Sequence, residues 1–358
     1  MTLSELEENT LLTKLEKETK LFLNRKRLLG KGGYSKVFQA KTEKGMEYAV
    51  KLIGISDKNE NKENARYKSQ LAFHDCKFST SAKHKSFIHS FGYYKLSKYS
   101  YAIVMNKATG NFKTIISTFF KEQLFGNITT KFLCYKKMSN SLIRFFFNQI
   151  INSMMFLFEN DWVHFDIKPE NLLLFNQELK LSDFSLTDLV PKIGKYELLS
   201  SGTMSYMPPE YFNVDREINA FDADKIDVFA IGCILFKLIT NKDVINKDIK
   251  YSELTKENLI NTINNSLFFL KTIFKENKYE NDDNRQLFNL INKMLKPDNS
   301  QRISMKELIE NGWRKKNEKK INQIKEIHVN YYIKVLSEIQ KADSLNNIQK
   351  RRKKFTLG

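Results

Sequence analysis

Cysteine is scarce. Cys76, Cys134 and Cys233 are the only three in 358 residues. They lie far apart, their number is odd, and none belongs to a CxxC pair or to a Cys/His cluster with metal spacing. Reduced thiols and no structural zinc are expected. Long apolar runs are also missing. The best, Val228 to Ile239, is too short to span a bilayer and contains Lys237. Met1 to Asn9 is acidic and has no continuous apolar core, so it does not read as a signal peptide. No internal repeat is present. Cytoplasm or nucleus is the expected location. Acidic residues are outnumbered, 41 against 59 Lys and Arg, which leaves a net charge of +18. Such an excess favours phosphates, nucleic acid, an anionic membrane face or acidic proteins.

The chain is long enough to bury a sizeable core in two or three units. Residues 1 to about 20 read as an amphipathic helix with Leu3, Leu6, Leu11, Leu12 and Leu15 as its apolar positions. From about Phe22 short apolar stretches alternate with turns, which predicts a small antiparallel sheet. Ile55 to Asn64 reads as a loop, and a helix follows around Ala65 to Phe78. After Asn106 the pattern turns mainly helical, with apolar spacing over Ser139 to Asn160, residues 225–240, and near 254–275, 284–295 and 304–311. Residues 121–138 read as irregular and 183–210 as a long loop. Strands followed by helices predict an α+β protein with two lobes.

His164-Phe165-Asp166-Ile167-Lys168-Pro169-Glu170-Asn171 is followed shortly by Asp183-Phe184-Ser185. Mg²⁺ takes hard oxygen ligands, usually one or two carboxylates together with substrate phosphates. A hydroxyl attacking a phosphate needs a carboxylate to accept its proton and a metal to carry the developing charge. Asp166 suits the first role; Asn171 and Asp183 suit the second. Upstream, Gly30-Lys31-Gly32-Gly33-Tyr34-Ser35-Lys36-Val37 follows one strand and precedes another. Glycines let backbone approach phosphates without side-chain clash, although an ordinary hairpin turn uses the same residues. A dinucleotide-binding motif would open into a helix instead. Lys51 lies in the apolar strand Tyr48-Ala49-Val50-Lys51, where burying its charge is costly without a partner. An edge-strand lysine facing water is the plain alternative.

Taken in order, these stretches resemble the eukaryotic protein kinases, serine/threonine type, over roughly residues 22 to 313. Phe165, Ser185 and Ser35 stand where that family usually has Arg, Gly and Gly. The resemblance implies a bilobal fold: a small antiparallel-sheet N-lobe, 22–105, and a larger helical C-lobe, 109–313. A helical extension, 1–21, and a basic helical tail, 314–358, flank the kinase domain, 22–313. ATP and Mg²⁺, with Mn²⁺ as an alternative, are implied between the lobes. By resemblance Asp166 orients the hydroxyl and takes its proton, Lys168 neutralises charge on the transferring phosphate, and Asn171 and Asp183 hold metal. Gly30, Lys31, Gly32, Gly33, Ser35, Val37, Ala49 and Lys51 would hold the nucleotide, Lys51 at the α- and β-phosphates. Met105 would line the back of the adenine pocket, with Leu173 part of the same pocket. The Asn106 carbonyl and Ala108 amide would bond adenine, although Met105 to Ala108 also reads as a simple strand end. His164 reads as a packed core histidine.

The family lysine pairs with a glutamate in the next helix. Reading Tyr67 to Phe73 as the middle of that helix puts Gln70 at the expected place, with Glu60 or Glu63 as substitutes in another register. A charge-assisted pair is roughly twice as strong as a neutral hydrogen bond, so Lys51 is expected to be held less tightly. The arginine that Phe165 replaces meets a phosphate on the activation loop, so activity independent of activation-loop phosphorylation is expected. Gly202 to Glu210 resembles the end of an activation segment. There Thr203 would bond to Asp166 and Lys168, and Glu210 would pair with Arg302. Asp227 would steady the catalytic loop.

A serine/threonine protein kinase acting on a protein substrate is therefore expected, and nucleic acid is not expected as a partner. The first alternative is a pseudokinase serving as a nucleotide-binding or scaffolding module, for which Ser35, Gln70, Phe165 and Ser185 speak. The second is a kinase of small molecules or lipids, which would lack the platform from Gly202 to Glu210. The tail, 314–358, has thirteen Lys/Arg and four Asp/Glu, a net of +9. Ile321, Ile324, Ile327, Tyr331, Val335 and Ile339 recur there at helical spacing. That fits a helix packed on the body. It also fits a nuclear address, an anionic-surface contact or a partner helix.

Overall fold

The computed structural model describes residues 5–54, 61–125, 138–199, 201–213, 215–246, 254–275 and 281–315. Glu60, most of the expected loop at 55–64, most of 121–138, Cys134, Ser200 and the tail beyond Lys315 lie outside the described residues. The chain divides into two compact units: residues 1–108 with 180–187, and residues 109–179 with 188–358.

The first unit contains α1 (Glu5–Thr19), β1 (Phe22–Lys31), β2 (Ser35–Lys41), β3 (Glu47–Ile53), α2 (Lys62–Ser81), β4 (Ser90–Lys95) and β5 (Tyr101–Asn106). The strands form one antiparallel sheet in the order β1-β2-β3-β5-β4. Successive side chains of a strand point to opposite faces, and the sequence uses this to separate core from site. Phe38, Ala40, Val50, Leu52, Ala102 and Val104 share one face and pack with Leu12 and Leu15 of α1 and with Leu21 and Leu23. On the opposite face the register places Gly30, Val37, Lys51 and Ile103 in one cross-strand row and Ala49 and Met105 in the next. The helix expected at the N-terminus forms, and it completes the core of this unit. Each buried leucine contributes about 1.5–3 kcal/mol. Lys14 adds a bond from its ammonium to the Leu96 carbonyl at 2.9 Å, and Glu16 accepts from the Leu23 amide at 2.9 Å.

The Asn61 side chain caps α2 by accepting from the Asn64 amide at 2.7 Å. The helix buries Ala65, Leu71, Ala72, Asp75, Cys76, Phe78 and Ser79. Residues 180–187 are tied to this unit by Leu181, whose amide donates to the Ser86 carbonyl at 2.8 Å and whose carbonyl accepts from Ile88 at 2.9 Å.

The second unit begins with β6 (Gly110–Asn111), α3 (Phe112–Phe125), α4 (Asn140–Glu159) and β7 (Trp162–Val163). Next come β8 (Leu172–Phe175), β9 (Glu178–Leu181, whose last two residues return to the first unit), β10 (Asp188–Leu189), β11 (Lys195–Glu197) and β12 (Glu217–Asn219). It ends with α5 (Asp224–Thr240), α6 (Lys256–Lys275), α7 (Asp282–Met294), α8 (Met305–Glu310) and α9 (Gly312–Lys315). Helices α4 to α8 match the periodic stretches of the sequence, whereas α3 and α9 fall outside them and α3 runs to Phe125, into residues read as irregular. The strands were not expected, because two to four residues carry too little alternation to read. Helix α5 is apolar nearly all round and buried along its length, as a central helix should be. By length and composition only α4 among the described helices could cross a membrane, and it buries Phe146, Phe147, Ile150 and Ile151 in the core.

Candidate active site

In the first unit the site is built around Lys51, 9% exposed on β3. Its ammonium lies 2.7 Å from Asp75 Oδ2 and 2.9 Å from Asp183 Oδ1. Burial alone would lower the lysine pKa. The two carboxylates outweigh it, so the pKa is raised and the group is a fixed cation. The partner helix thus supplies Asp75, and the expectation that Gln70 meets Lys51 is corrected: Gln70 is exposed on α2, as is Glu63. Asp75 sits on the helix face that also buries Leu71, Ala72, Cys76 and Ser79. The pair is charged, so Lys51 is held more tightly than Gln70 would allow.

Asp75 has a second task. Its Oδ1 accepts from the Phe184 amide at 3.0 Å and from Ser79 Oγ at 2.9 Å. Asp183 itself has φ +64°, a left-handed conformation that non-glycine residues seldom adopt without support. The support comes from three sides. The Phe184 amide is held by Asp75. The Phe184 ring is buried with centroids 4.7 Å from Phe78 and 5.0 Å from Phe87. Ser185 Oγ donates to Asp183 Oδ1 at 3.0 Å.

Beyond the Gly30–Val37–Lys51 row, the Gly32 amide donates to the Ser35 carbonyl at 2.9 Å. A Cβ on Gly32 would lie 2.8 Å from Ser35 Oγ, so a side chain there would have to turn that hydroxyl aside. Gly33 has open space around it, and Lys31 is exposed opposite Lys36. Burial raises the pKa of the Tyr34 hydroxyl, which lies near Ser185. On the expected adenine side, Val37, Ala49 and Met105 share the sheet face of Lys51. The Asn106 amide is taken by the His89 carbonyl at 3.0 Å, so the Asn106 carbonyl is the group the resemblance assigns to adenine. Ala108 ends the first unit. Leu173 belongs to the second, on β8 opposite Asn111.

In the second unit Asp166, Lys168, Asn171 and Thr203 come together. Lys168 Nζ lies 2.5 Å from Asp166 Oδ2 and donates to Thr203 Oγ1 at 2.7 Å. Thr203 donates in turn to Asp166 Oδ1 at 2.8 Å. Asn171 Nδ2 donates to the Asp166 carbonyl at 2.9 Å and to Asp166 Oδ2 at 3.1 Å, so Oδ1 is the atom it would offer a cation. The loop rests on Asp227, whose carboxylate accepts from the His164 amide at 2.8 Å and the Phe165 amide at 2.9 Å. Burial pushes Asp227 up to about 7, and those two amide bonds pull the other way. His164 is fully buried, with Nδ1 accepting from the Asp166 amide at 3.2 Å. Phe165 has φ +63°, and its ring lies flat on Tyr196, centroids 5.3 Å apart and planes 4° from parallel. Further along, Arg302 forks onto Glu210 at 2.7 and 3.0 Å, both side chains buried.

Asp183 in the first unit, with 30% of its side chain exposed, and Asn171 in the second each carry a hard oxygen of the kind Mg²⁺ takes. Among the described residues there is no group of three or more His, Cys, Asp or Glu to form a closed cage.

The protein kinase domain family matches residues 23–314, and the chain belongs to that family. Its serine/threonine relatives are distant. It is 24% identical over 297 residues to an Aurora kinase of Eremothecium gossypii, covering 81% of this chain and 68% of the relative. It is 28% identical over 169 residues to serine/threonine-protein kinase cds1 of Schizosaccharomyces pombe, covering 46% and 34%. It is 26% identical over 246 residues to tousled-like kinase 2 of Homo sapiens, covering 65% and 30%. The chain thus spans about a third of the length of the last two.

Two working residues escaped the sequence reading. Asp75 left a signal, a lone carboxylate on the apolar stripe of a predicted helix. Tyr196 left none, since its importance lies in a stack with a residue 31 positions away.

Proposed function

We propose that the chain is an active serine/threonine protein kinase that transfers the γ-phosphate of Mg-ATP to protein hydroxyls and does not require phosphorylation of its activation loop. One observation carries this reading: Lys51 is paired with both Asp75 and Asp183. The ion pair that Gln70 put in doubt is supplied by another acid. In this reading Lys51 grips the α- and β-phosphates, and Asp183 and Asn171 hold the metal. The bound Mg²⁺ supplies charge neutralisation at the phosphates. Asp166 accepts the proton of the substrate hydroxyl while its oxygen bonds to the γ-phosphorus. The bond from that phosphorus to the β–γ bridging oxygen breaks, and ADP carries the electron pair away. Lys168 stabilises charge on the transferring group, and Thr203 keeps Asp166 and Lys168 in place.

A pseudokinase is the rival reading, and one contact favours it. Ser185 stands where the family has glycine and donates to Asp183 Oδ1 at 3.0 Å, so the proposed metal ligand already has a hydroxyl partner on the atom that also meets Lys51. The deciding experiment is transfer of labelled γ-phosphate to myelin basic protein and to the chain itself. Asp166→Asn is expected to lower the rate by at least about a hundredfold, as loss of a general base does. Wild type that binds Mg-ATP without transfer, or an undiminished Asp166→Asn, would decide against the enzyme.

A further inference from the structure

The segment after Asp183 is anchored by apolar and hydrogen-bonding contacts. Asp188 and Leu189 pair with Val163 and Trp162. Lys195 to Glu197 pair with Glu217 to Asn219. Leu198, Met207, Tyr211, Ile218 and Ile226 form a buried cluster on which Phe165 and Tyr196 pack. Tyr196 joins these parts. Its ring stacks on Phe165, and its hydroxyl donates to Asp188 Oδ2 at 2.8 Å.

These contacts reverse the chemistry of a phosphate-operated switch. A phosphate on the loop needs cations to meet it. Here the catalytic loop presents an aromatic ring at Phe165, and the neighbouring strand presents a carboxylate at Asp188. A phosphate would gain nothing from the ring and would be repelled by the acid. A neutral tyrosine satisfies both, since its face suits the ring and its hydroxyl suits the carboxylate. Phe165 is adjacent to Asp166, and its own amide is fixed by Asp227. Whatever holds the Phe165 ring therefore bears on where Asp166 points.

We propose that Tyr196 is a positioning residue: clasped between Phe165 and Asp188, it holds the activation segment against the catalytic loop in the unphosphorylated chain. The catalytic part of this proposal rests on the kinase reading above; the hold on the segment does not. Stacked aromatic pairs are worth about 0.5–1.5 kcal/mol beyond burial, which is small for the whole protein but large for one segment.

The test uses the phosphatase-treated full chain, with Tyr196→Phe and Tyr196→Leu. Tyr196→Leu keeps apolar bulk and removes both the stack and the hydroxyl; Tyr196→Phe keeps the stack. Amide exchange over residues 188–199, read by mass spectrometry, should quicken most in Tyr196→Leu and by less in Tyr196→Phe, which loses only the bond to Asp188. In transfer assays kcat should fall on the order of tenfold in Tyr196→Leu, since small misplacements cost that much or more. The Kd for Mg-ATP should be unchanged, and Tyr196→Phe should restore most of the rate. Equal exchange in wild type and Tyr196→Leu would overturn the clasp, whatever the activity. Faster exchange with unchanged kcat would overturn the positioning role, as would a wild type inactivated by the phosphatase alone. A wild type that never transfers phosphate would end the kinase reading and the positioning role with it, while exchange would still report the clasp.

Discussion

A buried lysine tolerates its charge only with partners, and Lys51 has two. Asp75 is the more consequential, because it also fixes the Phe184 amide next to the strained Asp183. Asp75→Asn keeps the shape and removes the charge. Hydrogen bonds to charged groups are worth about 1.5–3 kcal/mol, which corresponds to roughly a ten- to hundredfold fall in kcat/KM for Mg-ATP. Gln70→Ala, on the exposed side of the same helix, should change neither kinetics nor stability by more than about 0.5 kcal/mol. Steady-state kinetics with varied Mg-ATP check both; equal losses at the two positions would return the pairing role to Gln70. At this scale the grouping of Asp166, Lys168 and Asn171 was legible in the sequence, because the three sit in one contiguous stretch with fixed spacing. Thr203, Glu210 with Arg302, and Asp227 were legible for the same reason. Asp75 was not, because its role depends on the rotation of α2, and the five residues from Gln70 to Asp75 change which side chain faces the sheet.

At the scale of elements, the second unit depends on how closely α5 approaches the end of α7. Gly232 lies midway along α5. A Cβ there would fall 2.9 Å from Leu295 Cδ2 and 3.0 Å from Met294 Cβ. Replacing a helical glycine recovers up to about 1 kcal/mol of backbone propensity, and a β-branched residue recovers little of it. Overpacking costs about 1–3 kcal/mol, so the clash wins. Gly232→Val should lower the unfolding free energy by about that amount, seen as a lower urea midpoint at unchanged slope; a midpoint at or above wild type would show that α7 can yield. Helices α4 to α7 were readable because each repeats its apolar pattern over several turns. Strands β10 and β11 were hidden in what reads as one long loop, 183–210, and their partners β7 and β12 lie outside it, since the register is set by the cluster they cover. The N-terminal helix was readable as a helix. That Leu12 and Leu15 complete the sheet's core became clear only from the alternation of Phe38, Val50 and Val104 on the facing side.

Charge acts on the molecule as a whole, and it is unevenly placed along the chain. Half of the net +18 belongs to residues 314–358. The folded body must be kept through α9, because Trp313 is buried with its ring 4.2 Å from the Arg144 guanidinium and its carbonyl accepting from Arg144 Nε at 2.8 Å. Ending the chain at Lys315 therefore keeps the Arg144–Trp313 contacts and removes a net +7. Exposed charges act over about 8 Å at physiological salt and farther at low salt. Their effect is on encounter with charged partners more than on chemistry at Asp166. KM for casein, an acidic protein, should rise with added salt, and the rise should be shallower for the chain ending at Lys315. KM for myelin basic protein should stay flat or fall. In every case kcat should hold, since Lys51, Asp166 and Asp183 are fixed by partners within 3 Å. Identical salt slopes for the two chain lengths would show that the basic tail takes no part in substrate encounter. A kcat that falls on truncation would place the tail in the working of the catalytic unit instead.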